Sequence, residues 1–450
     1  MRHDLFPSKN TLLDVHDKLL IPAVHALKQV EKNGFQINQI VLLEMSLGYQ
    51  EKIQFIEDQI RSYPEVIKLE ERLGKELNMK SPDQIRELMY QELGLSTEDV
   101  PKTTTGKPST NKIAIANLKK EHAIVELMSQ HRKYTTLYKM FVKPMFGHIM
   151  PDGRVHPSLG FFTVTGRLHS ERPNEQNIPR KIDPEEIGFE FDPSLDIKNM
   201  FVPTNDQFEL LQADQSQAEL RVLAEYCQDS VMLDAFIRGL DIHLATGELL
   251  AGHPIDKSSP WRRRAKAINF GLIFGKGASA LARELGITVD EATQFINAYF
   301  NKMPGVKKFL EYVVEYCKQY KQVSSMFGRV RILRTIDSYD KYTRYEAERQ
   351  AVNMPIQSAA SDYTLIGLMN MVVMFNEFAA KYNFRSKIVA IVHDSIVFDV
   401  FKKERNTVIE IANTVMVKPQ NELMYWTNTV PYVVDIEVGP SWGKIASIPV

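Results

Sequence analysis

Arg262-Arg263-Arg264-Ala265-Lys266-Ala267-Ile268-Asn269-Phe270-Gly271-Leu272-Ile273-Phe274 is the most specific stretch of this chain. On a helix, steps of four residues stay on one face with modest drift. Arg262, Lys266, Phe270 and Phe274 therefore form one stripe, two cations followed by two aromatic rings. Ala265, Ile268 and Leu272 fall on other faces and include the packed side. An amphipathic helix with a basic surface does not explain why the rings continue the charged stripe instead of joining the apolar one. Cations so placed suit a triphosphate, and a ring further along gives a base or sugar something to pack on.

Two more segments place carboxylates where such a helix could use them. Phe208 to Ala213 reads as a short strand ending at Asp214, within Ala213-Asp214-Gln215-Ser216-Gln217-Ala218-Glu219-Leu220-Arg221, and apolar spacing from Ala218 to Cys227 starts a helix directly after it. Lys387 to Val392 and Ile396 to Phe401 are β-rich runs flanking His393-Asp394-Ser395, a hairpin with a carboxylate at its tip. Both side chains can leave a sheet from the same edge. Hard oxygen ligands with open positions favour Mg²⁺, and two such ions beside a triphosphate site are what in-line nucleotide transfer requires.

The rest of the chain bounds the reading without deciding it. At 450 residues it exceeds what one core usually covers, and 44% hydrophobic with 25% charged residues is an ordinary soluble composition. A net charge of −1 carries no nucleic-acid signal, so any positive field must be local: Arg262 to Lys266, Arg329 with Arg331 and Arg334, or Lys102 to Lys139. Cys227 and Cys317 read as reduced, buried thiols. The start has no apolar h-region and no apolar run approaches spanning length. Leu12 to Arg61 predicts two long helices broken at Asn33-Gly34. Ser81 to Met128 predicts short helices around the polar loop from Lys102 to Thr110, whose hydroxyls and amides suit phosphate contact or simply a surface loop. Thr165-Gly166-Arg167-Leu168 and Pro173-Asn174-Glu175-Gln176-Asn177-Ile178-Pro179 are rich in donors that could follow a minor groove. The stretch 182–197 is acidic and without a motif. Residues 243–320 are helical by pattern, Val323 to Leu333 suggests a hairpin, and Tyr342 to Phe375 predicts a long helix interrupted at Asn353-Met354-Pro355.

The order and wording of the three segments resemble motifs A, B and C of family A DNA polymerases, the bacterial DNA polymerase I and phage replicase kind, and the resemblance runs from about Leu12 to the C-terminus. It implies an α+β right-hand fold with thumb, antiparallel palm sheet and helical fingers. The implied boundaries are 1–150 for a thumb with N-terminal helices leading into the palm, 151–242 for the first palm part, 243–335 for the fingers and 336–450 for the second palm part. The implied activity is template-directed addition of deoxynucleotides to a primer 3′-hydroxyl by two-metal transfer, in replication or repair. Asp214 and Asp394, with the backbone carbonyl of Gln215, would hold two Mg²⁺ ions, with Mn²⁺ as the expected substitute. Arg262, Lys266 and His243, the last in Asp241-Ile242-His243, would bind phosphates, Lys266 being counted as catalytic. Phe270 would pack on the sugar, Phe274 and Gln217 would line the nucleotide, and Glu219 would block a ribose 2′-hydroxyl. Arg349, Asn353 and Gln357 match contacts to the templating pair and primer end, and Arg167, Asn174, Gln176 and Asn177 a segment along the minor groove. Ser109, Thr110 and His393 complete the implied DNA contacts.

The implied partners are primer–template DNA and dNTPs, with separate exonuclease, helicase or primase components and no membrane. The implied location is the cytoplasm of a bacterial or phage-infected cell, with an organelle as the alternative. Thumb-like helices begin within roughly the first dozen residues, so no 3′-to-5′ exonuclease domain is expected in this chain. Four departures from the pattern stand out: Ser395 where a glutamate is usual, Gln215 for tyrosine, Phe274 for a tyrosine that can hydrogen-bond at the position of Glu219, and Thr105 and Thr136 for thumb lysines, with Lys107 and Lys139 as replacements. By this reading Glu219 lacks the hydroxyl that would orient it. A single-subunit RNA polymerase would share the aspartates and the lysine but not Glu219 or Asn269-Phe270-Gly271, and a non-catalytic subunit should have lost Asp214, Asp394 or Lys266.

Overall fold

A computed structural model describes residues 1–448 apart from 99, 120, 180–186 and 188. The first part of the acidic stretch 182–197 lies outside the described residues. In its second part the Phe191 ring stacks on Tyr134 with centroids 5.3 Å apart.

The site is carried by a five-stranded antiparallel sheet of β1 (Phe208–Gln215), β2 (Lys387–Val392), β3 (Ser395–Phe401), β4 (Val434–Gly439) and β5 (Ala446–Ser447), in the order β5-β4-β1-β3-β2. Both faces are covered. Leu211, Ala213, Ile396 and Phe398 join one core, whereas Leu210, Val389 and Val397 join another. That is why β2 and β3 read as near-continuous apolar runs rather than as alternation.

Helix α1 (Ile21–Asn33) lies against β2, where the Asn33 side-chain amide donates to the Ile388 carbonyl at 2.8 Å. Gly34, at φ +60°, ends it in a conformation that costs other residues energy. Helix α2 (Gln39–Arg61), capped by Asn38, packs on α3 (Ala123–Leu137) at the centre of the second core. Helix α4 (Ala218–Cys227) follows β1. Beyond it, α5 (Ile242–Ala251) packs on α6 (Pro260–Ile273), and the short hairpin Gln322–Ser324 with Val330–Ile332 forms as the pattern predicts.

Helix α7 (Lys341–Tyr382) corrects one expectation: it is continuous through Pro355. An interior proline ordinarily costs a helix ~3 kcal/mol or more. Here Ala351, Met354, Ile356, Ala359 and Tyr363 are all buried, so packing around that turn outweighs the local rule. The same helix holds a window apolar enough to cross a bilayer, contrary to the sequence expectation. It is half buried within the protein and serves as a core element. Arg329 is also corrected as a source of surface charge, because its guanidinium donates to the buried Asp362 carboxylate at 2.9 Å.

Candidate active site

The register of the sheet assembles the acidic end. Asp214 lies opposite Ser395 on β3 and opposite Asp435 on β4, and directly opposed residues share a face. The Ser395 hydroxyl donates to the Asp214 carboxylate. Like charges on opposed positions are unfavourable without a cation, so Asp435 beside Asp214 is a local reason for one. Gln215 turns the other way. Its buried amide donates to the Met416 carbonyl and accepts from the Thr364 hydroxyl, both at 2.8 Å, which leaves only its backbone to meet a ligand.

Asp394 sits at the β2–β3 tip beside His393, whose φ is +56°; Gln217, between β1 and α4, has the same value. Such angles are uncommon for non-glycine residues and cluster at functional turns. Gln176 braces the tip. Its amide nitrogen donates to the Ile391 carbonyl at 2.5 Å, and its oxygen accepts from the His393 N–H at 3.0 Å. One N–H and one lone pair of the expected groove-reading amide thus position the hairpin, while the side chain still lines the cleft described below.

On α6 the stripe forms as the spacing predicts. Ser259 caps the helix and Pro260 opens it, and the Phe270 and Phe274 rings lie within 13° of parallel, 6.2 Å apart. Arg262 is not a bare cation: its Nε and Nη2 donate to Asp241 at 2.9 and 2.6 Å. The other Asp241 oxygen caps α5 by accepting from His243 and Leu244 N–H. Burial pushes the Asp241 carboxyl up, but Arg262 and the cap amides outweigh it and leave it below its ordinary value. Burial lowers His243 to about 4, so the imidazole is neutral at neutral pH. The Asn269 amide donates to its Nδ1 at 3.1 Å, which puts the proton on Nε2 as a neutral donor. Lys266 is exposed.

A cleft of about 710 Å³ gathers these groups. Asp214 and Asp394 line it with Lys266, Arg262, His243, Phe270, Phe274, Gln217 and Glu219, and with Arg167, Asn174, Gln176, Asn177, Gln357 and His393. Arg349, Asn353, Ser109 and Thr110 are not among its lining residues. Ser109 and Thr110 are 8% and 7% exposed, with their carbonyls accepting from Tyr90 and Arg132, so the loop tip rather than these two hydroxyls faces water. Lys107 and Lys139 are exposed.

Arg167 pairs with Glu219. The sequence leaves Glu219 without an orienting hydroxyl and Arg167 among the groove residues, because no local signal joins two side chains 52 positions apart.

Among the described residues no three His, Cys, Asp or Glu side chains group into a complete metal cage. Two carboxylates with a backbone oxygen fit Mg²⁺, which keeps waters and takes substrate phosphates as further ligands.

The sequence matches DNA polymerase family A over residues 41–444. It is 31% identical to a DNA polymerase of Bacillus phage SP01 over 95% of this chain and 50% of that protein. It is 32% identical to the thermostable DNA polymerase I of Thermus aquaticus over 96% of this chain and 48% of that protein. The chain thus spans about half the length of these relatives. The POL domain of Pol1 from M. smegmatis, solved in complex with DNA primer-template and dNTP, superposes with a TM-score of 0.83 at 29% identity, over 96% of this chain and 71% of that one. By sequence and by fold, the chain belongs to DNA polymerase family A.

Proposed function

We propose that this chain is a DNA-directed DNA polymerase that extends a primer 3′-hydroxyl by two-metal nucleotidyl transfer. The observation that carries the reading is the meeting, in one cleft, of Asp214 and Asp394 with the cation and ring stripe of α6. The solved relative's complex with primer-template and dNTP supports DNA and dNTPs as the ligands. On this reading residues 1–150 form the thumb, 151–242 and 336–450 the palm, and 243–335 the fingers.

Asp214, Asp394 and the Gln215 carbonyl would hold two Mg²⁺ ions, which when bound lower the pKa of the attacking hydroxyl and neutralise the leaving pyrophosphate. Lys266 meets the triphosphate as a full charge, and His243 donates from Nε2 without adding charge. Arg262, already held by Asp241, is preorganised and loses little side-chain freedom on binding. Phe270 packs on the sugar with Phe274 behind it. Extension of a labelled primer on a template strand, with Mg²⁺ and dNTPs, tests the proposal directly. No extension by protein that binds the duplex would refute it.

Sugar selection supplies a finer test. A carboxylate that excludes a 2′-hydroxyl must be held still, and Arg167 takes the part expected of a tyrosine hydroxyl. Because Arg167 is half exposed, the pair is worth up to about 1 kcal/mol, or about fivefold. Glu219→Ala should therefore relax the preference for dNTP over NTP strongly and Arg167→Ala by a few-fold. Adding Phe274→Tyr to Arg167→Ala should restore it. Steady-state incorporation ratios decide this, since any shared loss of duplex affinity cancels in them. An unchanged ratio for Glu219→Ala would remove the gate.

A further inference from the structure

We propose that the start of α7 is a stacking platform for single-stranded nucleic acid which, resting on the polymerase reading above, is the unpaired template strand ahead of the cleft. Tyr339, Tyr342 and Tyr345 stand there at intervals of three residues, 102%, 79% and 47% exposed. Rings that open to water contribute almost nothing to the core. Each offers a π-face that any base can cover, which is how single strands are bound without sequence preference.

The platform is continuous with the cleft. The Tyr345 hydroxyl donates to the Gly275 carbonyl at 2.5 Å, and Gly275 directly follows Phe274 of the cleft wall. A Cβ on Gly275 would stand 2.7 Å from Arg349 Cγ, so the turn leaving α6 is pressed onto α7. Along α7, Tyr342, Arg349, Asn353, Ala360 and Thr364 recur at steps of seven, four, seven and four, the spacing of one helical face. Ala360 and Thr364 line the cleft. At ~1.5 Å per residue Tyr342 stands ~27 Å along the axis from Ala360, the length of about eight stacked nucleotides at ~3.4 Å each.

The charges nearby are mixed in sign, Asp340, Glu346 and Glu348 against Lys341, Arg344 and Arg349. Asp340 caps the helix by accepting from Thr343 N–H at 2.7 Å, and Glu346 is paired with Arg349 at 2.6 Å, whereas Lys341 is exposed. A strand leaving the cleft along this face therefore meets Arg349 and then the rings.

The test compares the full chain with Tyr342→Ala/Tyr345→Ala on primer–template duplexes that differ only in a 5′ template overhang of about 2 or about 15 nucleotides. Binding is read by fluorescence anisotropy at fixed salt. The double variant should lose about tenfold in affinity for the long overhang and nothing for the short one. Tyr342→Phe/Tyr345→Phe, which keeps both rings, should bind the long overhang nearly as the unmutated protein does. Equal losses on both overhangs, no loss on either, or a change in self-association without an overhang effect would overturn the platform. Failure of the unmutated protein to bind and extend the short-overhang duplex would instead sink the polymerase reading itself.

Discussion

Asp214→Asn and Asp394→Asn are each expected to slow primer extension on the order of a thousandfold or more while leaving primer–template affinity within a small factor. On the proposed two-metal reading the charge is what the transition state needs: removing part of a two-cation clamp would cost several kcal/mol, and each ~1.4 kcal/mol is tenfold in rate. The shape is what the fold needs, and asparagine keeps it. Asp214 sits within an eight-residue strand paired on both sides. The asparagine oxygen can still accept from the Ser395 hydroxyl that now bonds the carboxylate. Asp214→Asn also removes the like-charge opposition to Asp435, which is worth ~0.2 to 1 kcal/mol across a sheet. In metal-free buffer this variant should therefore melt no lower than the parent, the usual sign of a site that trades stability for function. Single-turnover extension with Mg²⁺, anisotropy on the same duplex and a thermal melt separate the three quantities. Near-normal extension by either variant would end the assignment of these carboxylates as metal ligands.

How much of this was legible in the chain depends on whether the governing contact is local. The stripe on α6 follows from a 3.6-residue period acting within one helix, so Arg262, Lys266, Phe270 and Phe274 could be placed together from spacing alone, and they line one cleft. The break at Gly34 and the hairpin carrying Asp394 are local in the same sense. The opposition of Asp435 to Asp214 depends on a register between strands far apart in sequence, which no window of residues reveals. Gln176 reads as a groove-reading donor, but its bracing of the hairpin is not legible, because the partners are backbone groups more than 200 positions away. Arg262 reads as a phosphate-binding cation, but its pairing with Asp241 spans 21 positions and two helices, so no local pattern shows it. Pro355 misled in the opposite direction: the missing N–H is a sound local rule, overridden by burial around the turn.

Glu175 is the residue whose cost was least visible, since it lies in a polar turn that reads as exposed. It opens the short helix Glu175–Asn177 at 0% exposure, and neither carboxylate oxygen has a hydrogen-bond partner among the described residues. Burial alone pushes this carboxyl up to about 8 from an ordinary 4.5. The folded protein therefore holds a proton that the unfolded chain releases above about 4.5. The resulting stability is fully present below that pH and is lost as pH rises through about 8. At ~1.4 kcal/mol per pKa unit the whole loss is on the order of 5 kcal/mol, an upper bound because the buried group can relax toward water. Glu175→Leu replaces the carboxyl with an apolar side chain of similar size and has nothing to ionise. It should flatten the decline between pH 5 and 8 and raise the melting temperature most at the alkaline end. Glu175→Gln should flatten the decline as well but gain less, because an unpartnered amide is still costly to bury. Thermal melts from pH 5 to 9 on the three proteins are the measurement. Since Gln176, the next residue, pins the turn that carries Asp394, extension by the parent at pH 8 to 9 should also be lost at a lower temperature than extension by Glu175→Leu. Parallel pH profiles for parent and variants would mean that Glu175 is solvated in solution and carries no such cost.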